Sequence, residues 1–92
     1  MLVYNVKNTS NDKPDSKYES WLDFWEKKTR RTASKCLNIY CNSSKKDNLV
    51  GAHVKEKEKT TIYITILCKD CNNHYNDETA KNVKSEDLVM VQ

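Results

Sequence analysis

Residues 61–71 read Thr-Ile-Tyr-Ile-Thr-Ile-Leu-Cys-Lys-Asp-Cys, so a run of β-branched residues leads directly into a Cys-x2-Cys pair. Such residues favour extended backbone, and residues 61–67 are predicted to form a strand. The apolar run at 49–54 predicts its hairpin partner, with the alternating charges of residues 55–59 at the exposed tip. Beyond the hairpin, a short helix is predicted to start near Asp70 and to run toward Lys81.

A second cysteine pair, Cys36-x4-Cys41, lies upstream and is separated from Cys68-x2-Cys71 by 26 residues. Two close pairs are typical of a four-cysteine zinc site, because one tight turn can present both sulfurs of a pair. We expect the four cysteines to hold one structural Zn²⁺, with Cys68 and Cys71 at the junction of the second strand and the helix. Two short-range disulfides or four free thiols are the alternatives.

The N-terminal residues help to choose between zinc binding and disulfides, because they predict the compartment of the protein. Residues 1–6 contain no basic stretch and no small-residue cleavage site, which predicts a cytoplasmic protein. Disulfides are rare in such a reducing compartment. The longest apolar run is too short for a membrane span, so no membrane association is expected.

The composition indicates why a metal would be needed. Leu, Ile, Val and Phe account for 18 of the 92 residues, close to the level at which charged chains remain unfolded. The length allows one domain, residues 1–92, with an N-terminal strand and helix (1–33), a zinc-finger core (34–82) and a C-terminal strand (83–92). The predicted fold class is α+β.

The N-terminal third predicts a strand and then an amphipathic helix. Residues 1–7 alternate in the manner of a half-buried strand. Ser16-x-x-Glu19 matches a capping box, which would start the helix. One helical face would carry the large apolar residues Tyr18, Trp21, Leu22 and Trp25, which we assign to the core rather than to base stacking. Residues 88–91 predict a last strand, able to pair with residues 2–6.

Positive charge is concentrated in the middle of the chain. Residues 27–59 contain ten Lys and Arg against three Asp and Glu, a net +7, whereas the remainder has −4. The candidate contacts form a set that we call the basic band: Lys27, Lys28, Arg30, Arg31, Lys35, Lys45 and Lys46. Its first five members are predicted to close the helix and to favour its C-terminal dipole. The band could contact phosphate or could simply be solvated.

Taken together, these segments resemble a known family. Gly51-Ala52-His53-Val54 and residues 63–72 (Tyr-Ile-Thr-Ile-Leu-Cys-Lys-Asp-Cys-Asn) are similar to the ββα-metal core of the HNH endonuclease superfamily, in the variant whose zinc is held by four cysteines. With residues 20–27 (Ser-Trp-Leu-Asp-Phe-Trp-Glu-Lys), the likeness extends over residues 20–72 to small uncharacterised HNH-like zinc-finger proteins of bacteria and phages. It implies a treble-clef fold: zinc knuckle, hairpin, then a helix with the last two ligands.

The resemblance also implies a candidate catalytic pair. His53 matches the general base that deprotonates water, and Asn72 matches the helix ligand of a catalytic Mg²⁺ or Mn²⁺. Without catalysis, His53 would be a half-buried histidine bonded to a backbone carbonyl, and Asn72 would be a cap. The neighbouring His74 is expected to face solvent, with an additional zinc ligand as the alternative.

Other family positions depart from the nuclease pattern. Ala52 stands where the family usually has an acidic residue or a second histidine, Tyr63 where an asparagine orients the base, and Tyr75 where a basic residue or histidine follows. A single neutral amide is a poor site for a hard cation. We therefore expect a non-catalytic zinc module that binds nucleic acid through the basic band. A metal-dependent HNH endonuclease or nickase is one alternative, and a phage or host protein-binding module acting in the host cytoplasm is the other.

Overall fold

The structure is a computed structural model that describes residues 1–7, 13–41 and 48–91, apart from the side chain of His74. These residues form one α-helix, five antiparallel strands and two short 3₁₀ turns, which confirms the predicted α+β class. The elements are β1 (Leu2–Asn5), α1 (Trp21–Thr29), β2 (Leu49–Lys55), β3 (Tyr63–Cys68), a 3₁₀ turn at His74–Asn76, β4 (Lys81–Asn82), a 3₁₀ turn at Ser85–Asp87 and β5 (Val89–Met90). The sheet order is β4-β1-β2-β3-β5.

The central hairpin agrees with the sequence prediction. β2 and β3 pair in a continuous register from Leu49 opposite Cys68 to Val54 opposite Tyr63. Every residue of β3 after Tyr63 is buried, as expected for a central strand covered on both sides. The hairpin therefore forms the middle of the sheet and delivers Cys68 to its end.

The two sides of the sheet can be distinguished because directly opposed residues of antiparallel strands share a face. We call one side the helix face, since it packs against α1: Gly51, His53, Ile64 and Ile66. The opposite side, which we call the inner face, carries Val3, Asn5, Ala52, Val54 and Lys81. Both sets are buried apart from Gly51, which is half-buried.

The helix approaches the sheet at the single glycine of the chain. A Cβ atom built on Gly51 would lie 2.3 Å from the carbonyl carbon of Trp21 and 2.4 Å from the amide nitrogen of Leu22. Both atoms belong to the helix backbone, which no side-chain rotation can move. Glycine is therefore required here for close approach.

The predicted start of the helix is wrong by one turn. Ser20 is the N-cap, and its Oγ accepts a hydrogen bond from the Asp23 amide at 3.1 Å. The Asp23 carboxylate in turn accepts from the Glu19 amide at 3.0 Å. Ser16 cannot begin the helix because the Tyr18 amide bonds the Asp15 carbonyl, which closes a turn there. Tyr18 precedes α1, although its ring packs edge-on against Phe24 at 5.1 Å.

The predicted helix end is also wrong. α1 stops at Thr29, and Arg30 caps it in the left-handed region with φ of 59°. Of the basic band, only Lys27 and Lys28 lie in the last turn, while Arg31 and Lys35 follow the helix. The Ala33 amide then donates to the Glu26 carboxylate at 2.7 Å, which folds the chain back along α1.

No α-helix forms between Asp70 and Lys81 within the described residues, so that prediction is wrong. The segment consists of successive turns and the 3₁₀ turn. Asparagine side chains compete for the backbone groups that a helix would use: Asn76 donates to the Asp70 carbonyl at 2.6 Å, and Asn73 accepts from the Tyr75 amide at 3.0 Å.

The C-terminal strands also differ from expectation. β5 pairs with β3, where Ile64 lies opposite Val89, and not with residues 2–6. β1 pairs with β4 on the side away from β2, and Val3 lies opposite Lys81. No pattern in the sequence predicts β4, because two residues are too few to show an alternation.

Residues 37–39 show that the sheet is curled. The Leu37 amide bonds the Ile66 carbonyl of β3 at 2.8 Å, and the Ile39 amide bonds the Asn82 carbonyl of β4 at 2.8 Å. In the sheet order β3 and β4 are separated by both β2 and β1, so a segment of three residues can bond the outer edges of both only if the sheet bends round. The segment therefore joins the two sides of a strongly curled sheet, beside Cys36.

The end of α1 is fixed to the residues before β5. The Trp25 indole, 1% exposed, donates to the Asp87 carbonyl at 3.0 Å. Thr65 donates to the same carbonyl at 2.9 Å, and Arg31 pairs with the Asp87 carboxylate at 2.7 Å. The predicted core role of Trp25 is thus confirmed. No helix in the described part of the chain is long and apolar enough to cross a membrane.

Candidate metal centre

The four cysteines converge at one end of the sheet. Their sulfur atoms all lie within 4.8 Å of one another. Each of the two short contacts joins one cysteine pair to the other: Cys36 Sγ to Cys71 Sγ at 3.8 Å, and Cys41 Sγ to Cys68 Sγ at 3.7 Å. All four residues are free thiols in this structure, so the pairs do not form disulfides. Within the described residues this is the one such cluster of metal-binding side chains.

These distances fit a tetrahedral ion. A zinc–sulfur bond of about 2.3 Å places neighbouring sulfurs of a tetrahedron about 3.8 Å apart. The two short contacts match that spacing, and the 4.8 Å limit on the other pairs leaves little adjustment for binding. The site can therefore hold one thiophilic divalent ion with four protein ligands, which would leave no open position for a substrate.

Different elements supply the two pairs. Cys68 is the last residue of β3, and Cys71 lies in the turn that follows. The backbone amide of Cys71 donates to Cys68 Sγ at 3.4 Å. Cys36 is fully buried beside the segment that joins β3 to β4, and Cys41 is exposed. The expected junction between a strand and a helix is a junction between a strand and a turn, so a helix dipole does not act on Cys68 or Cys71.

The protein environment raises the pKa of two of the thiols and lowers the pKa of a third. Burial raises the pKa of Cys36, against hydrogen bonds from the backbone of Cys68 and Asn38. Burial also raises the pKa of Cys71, against a hydrogen bond from the Asn38 side chain. At Cys68 burial acts in the same direction, but hydrogen bonds led by that from the Cys71 amide hold the pKa below its usual value. A bound cation would favour all four thiolates.

Two buried asparagines that the sequence analysis did not select hold this region together. Asn38 donates to Cys71 Sγ at 3.5 Å and accepts from the amides of Tyr40 and Asn82, at 3.2 and 3.0 Å. Asn5 donates to the Cys71 carbonyl at 3.0 Å. The position of Asn38 between Cys36 and Cys41 was an available signal, whereas nothing in the sequence connects Asn5 with Cys71.

The candidate catalytic pair is not joined by any described contact. His53 is 7% exposed on the helix face, where its ring packs edge-on against Trp21 at 4.7 Å. Asn72 lies in the turn after β3, and its amide bonds the Cys68 carbonyl at 3.0 Å. The preceding residue, Cys71, is bonded by Asn5 from the inner face, opposite His53. His53 is thus buried rather than half-buried, and its expected bond to a backbone carbonyl stays a prediction.

The basic band is only partly available for a ligand. Arg31 pairs with Asp87 and lies over the Trp25 ring at 4.9 Å, while Lys27 pairs with Asp23 at 3.1 Å. The members exposed without an ion pair to any described residue are Lys28, Arg30 and Lys35. Lys45 and Lys46 lie outside the described residues.

Comparisons of the chain with protein-family models, with curated proteins and with solved structures find no match. The HNH resemblance thus remains a prediction from the sequence pattern.

Proposed function

We propose that this protein is a structural zinc module, with Cys36, Cys41, Cys68 and Cys71 as the ligands of one Zn²⁺. The observation that supports the proposal is the convergence of four sulfurs within 4.8 Å, with two contacts at the edge length of a zinc–thiolate tetrahedron. When bound, the ion would supply cross-links between distant segments, and the protein would supply a closed shell of thiolates.

Elemental analysis of the purified protein tests this proposal. We expect one zinc per chain, and its loss in Cys68→Ser, because three thiolates and a hydroxyl bind zinc weakly. Ser34→Ala, at an exposed position near the first pair, is the control and should retain the metal. A purified protein that folds cooperatively without any metal would contradict the proposal.

We further propose that the module binds nucleic acid through phosphate contacts made by the basic band. The supporting observation is that Lys28, Arg30 and Lys35 are exposed at the end of α1 and in the segment leading to Cys36. Two neighbouring cations, Lys27 and Arg31, are engaged with carboxylates. Phosphate contacts of this kind give affinity with little sequence discrimination.

Salt-dependent binding to duplex and single-stranded DNA distinguishes the alternatives. Binding should weaken steeply with salt, and the triple variant Lys28→Gln, Arg30→Gln, Lys35→Gln should show a slope reduced by about 2–3. The matched control replaces three lysines at the hairpin tip, Lys55, Lys57 and Lys59, by Gln and should keep the slope. Absence of binding at low salt would instead support recognition of an acidic protein surface.

Kinship with HNH-like zinc-finger proteins is part of the proposal on the strength of the sequence pattern over residues 20–72. Turns stand where a treble clef has the helix that carries its last two ligands. Hydrolysis is not part of the proposal, because His53 is buried against Trp21 and a general base must reach the water that it deprotonates. Strand cleavage that requires Mg²⁺ or Mn²⁺ and disappears in His53→Ala would restore the nuclease alternative.

A further inference from the structure

Lys81 is a fully buried lysine without an anionic partner in the described part of the chain. Its side chain is 1% exposed, and its ammonium group donates to the Asn76 carbonyl. The ion pairs among the described residues involve three other cations, Lys7, Lys27 and Arg31. Lysine is almost never fully buried unless its charge is compensated, because desolvation of an ammonium group is costly. The location of Lys81 therefore needs an electrostatic explanation.

The surroundings of Lys81 converge on Cys71. Lys81 lies opposite Val3 on the inner face, and Asn5, two residues further along β1, donates to the Cys71 carbonyl. On the other side, the amide of Asn82 donates to Asn38, whose side chain donates to Cys71 Sγ. Thus β1 and β4, the two strands that place Lys81, are each connected to Cys71 through one asparagine.

With a divalent ion bound, the cysteine cluster would supply the missing negative charge. Four thiolates and one divalent ion have a formal charge of −2, which is costly beside the buried residues Cys36 and Cys68 unless a cation lies close by. Burial lowers the pKa of Lys81, while the charges of Cys71 and Asp77 act in the opposite direction. Asp77 forms no ion pair with Lys81 within 4.0 Å. Cys71, by contrast, is bonded from the same inner face by Asn5 and from β4's neighbour Asn38, so the cysteine cluster is the candidate source of negative charge.

We propose that Lys81 is a built-in counter-cation of the four-cysteine centre, so that its buried ammonium group and the bound metal stabilise each other. The inference rests on the proposed zinc centre and extends it from four ligands to a partly charge-compensated unit of five residues. Lys81 does not bind the ion. It reduces the formal charge of the buried unit from −2 to −1 and, through the Asn76 carbonyl, fastens the segment that follows Cys71.

If Lys81 had a purely structural role, the substitution Lys81→Met would change the zinc affinity in the opposite direction. Replacing a buried charge by an apolar side chain of similar size is often neutral or stabilising, because the desolvation cost disappears. Lys81→Met should then leave zinc affinity unchanged or improved. The counter-cation role predicts weaker zinc binding in Lys81→Met and recovery in Lys81→Arg, which restores the charge.

The test is a chelator competition for Zn²⁺ at neutral pH with the full chain. We expect Lys81→Met to weaken the affinity by about tenfold to a hundredfold, as for other residues that support metal ligands, and Lys81→Arg to recover most of it. Lys84→Met, an exposed neighbour, and Asp77→Asn are the controls and should bind like the parent protein. Alkylation of the metal-bound thiolates should also be faster in Lys81→Met, since an uncompensated thiolate is more nucleophilic.

Several outcomes would overturn the inference. Equal affinities of the parent protein and Lys81→Met would do so, as would equal losses in Lys81→Met and Lys81→Arg, which would indicate packing, or a large loss in Asp77→Asn. A measurement without any variant covers the case in which Lys81→Met does not fold: nuclear Overhauser contacts between the Lys81 ε protons and the Cys71 β protons must appear in the zinc-loaded parent. If the parent protein itself binds no zinc, the proposed metal centre fails first, and the two failures are thereby distinguished.

Discussion

At the scale of single residues, Gly51 allows the backbone of α1 to lie directly against the sheet. The atoms that a side chain would meet are backbone atoms of Trp21 and Leu22, at 2.3–2.7 Å. The packing of α1 on the hairpin therefore depends on the absence of one methyl group.

We predict that Gly51→Ala lowers the free energy of unfolding by at least about 2 kcal/mol, because the helix must move away from the sheet. Denaturant unfolding of the zinc-loaded protein measures the change. Truncating a side chain should not rescue the variant, so Gly51→Ala combined with Leu22→Ala should be less stable than Gly51→Ala alone. Recovery in the double variant would show that the contact involves a movable side chain.

At the scale of elements, two serines compete for the start of α1. Ser16 heads a Ser-x-x-Glu pattern and Ser20 heads a Ser-x-x-Asp pattern, yet the Asp15–Tyr18 turn leaves only Ser20 at the first helical turn. Local patterns could not separate them, because both serines head a capping pattern and the Asp15–Tyr18 turn is not visible in the sequence.

Paired substitutions test that assignment. Ser20→Ala should cost about 1 kcal/mol, since the Asp23 amide loses its acceptor, whereas Ser16→Ala should change stability by less than about 0.5 kcal/mol. Thermal or urea unfolding of both variants measures the difference. A larger loss in Ser16→Ala than in Ser20→Ala would move the helix start back to Ser16.

A second pair of neighbours tests the junction between α1 and β5. Arg31→Ala removes the partner of the Asp87 carboxylate, whose side chain is 9% exposed, together with the contact on the Trp25 ring. The side chain of Arg31 is 45% exposed, so solvent screening limits the expected loss to about 1 kcal/mol. Arg30→Ala removes the same charge at an exposed position and should be nearly neutral. Equal effects would mean that net charge, rather than this junction, is responsible.

The same elements show what the sequence could and could not predict. The hairpin followed from the β-branched run ending at Cys68, and the cysteine cluster followed from the pair spacing, since both signals are local. The turns after Asp70 were missed because asparagine side chains bond the backbone there, and the partner of β5 was missed because strand pairing is decided by distant contacts. The burial of Lys81 had no local signal, since it depends on a strand pairing with distant β1, where Val3 lies opposite Lys81.

At the scale of the whole molecule, the cysteine cluster brings together segments that are far apart along the chain. Cys36 and Cys41 precede the hairpin, while Cys68 and Cys71 end it, and Asn38 connects this region with β4. Because the chain has so few large apolar residues, we expect folding and metal binding to be one event.

We predict that chelation unfolds the protein cooperatively. Binding of structural zinc contributes on the order of 10 kcal/mol, which is comparable to the entire stability of a typical domain. Tryptophan emission should shift to the red on addition of a chelator, because Trp25 is buried in the folded state, and excess Zn²⁺ should reverse the shift. Unchanged emission in demonstrably metal-free protein would show that the sheet and helix are stable on their own.

The spacing of the two cysteine pairs has a consequence for synthesis. Cys68 follows Cys41 by 27 positions, so a nascent chain exposes two unpaired thiols while the rest of its ligand set is still being translated. Until Cys71 has left the ribosome, the early thiols can be oxidised or can take up an ion in an incomplete shell. For the proposed zinc centre, we therefore expect the supply of zinc and of reducing equivalents during translation to affect the yield of correctly assembled molecules.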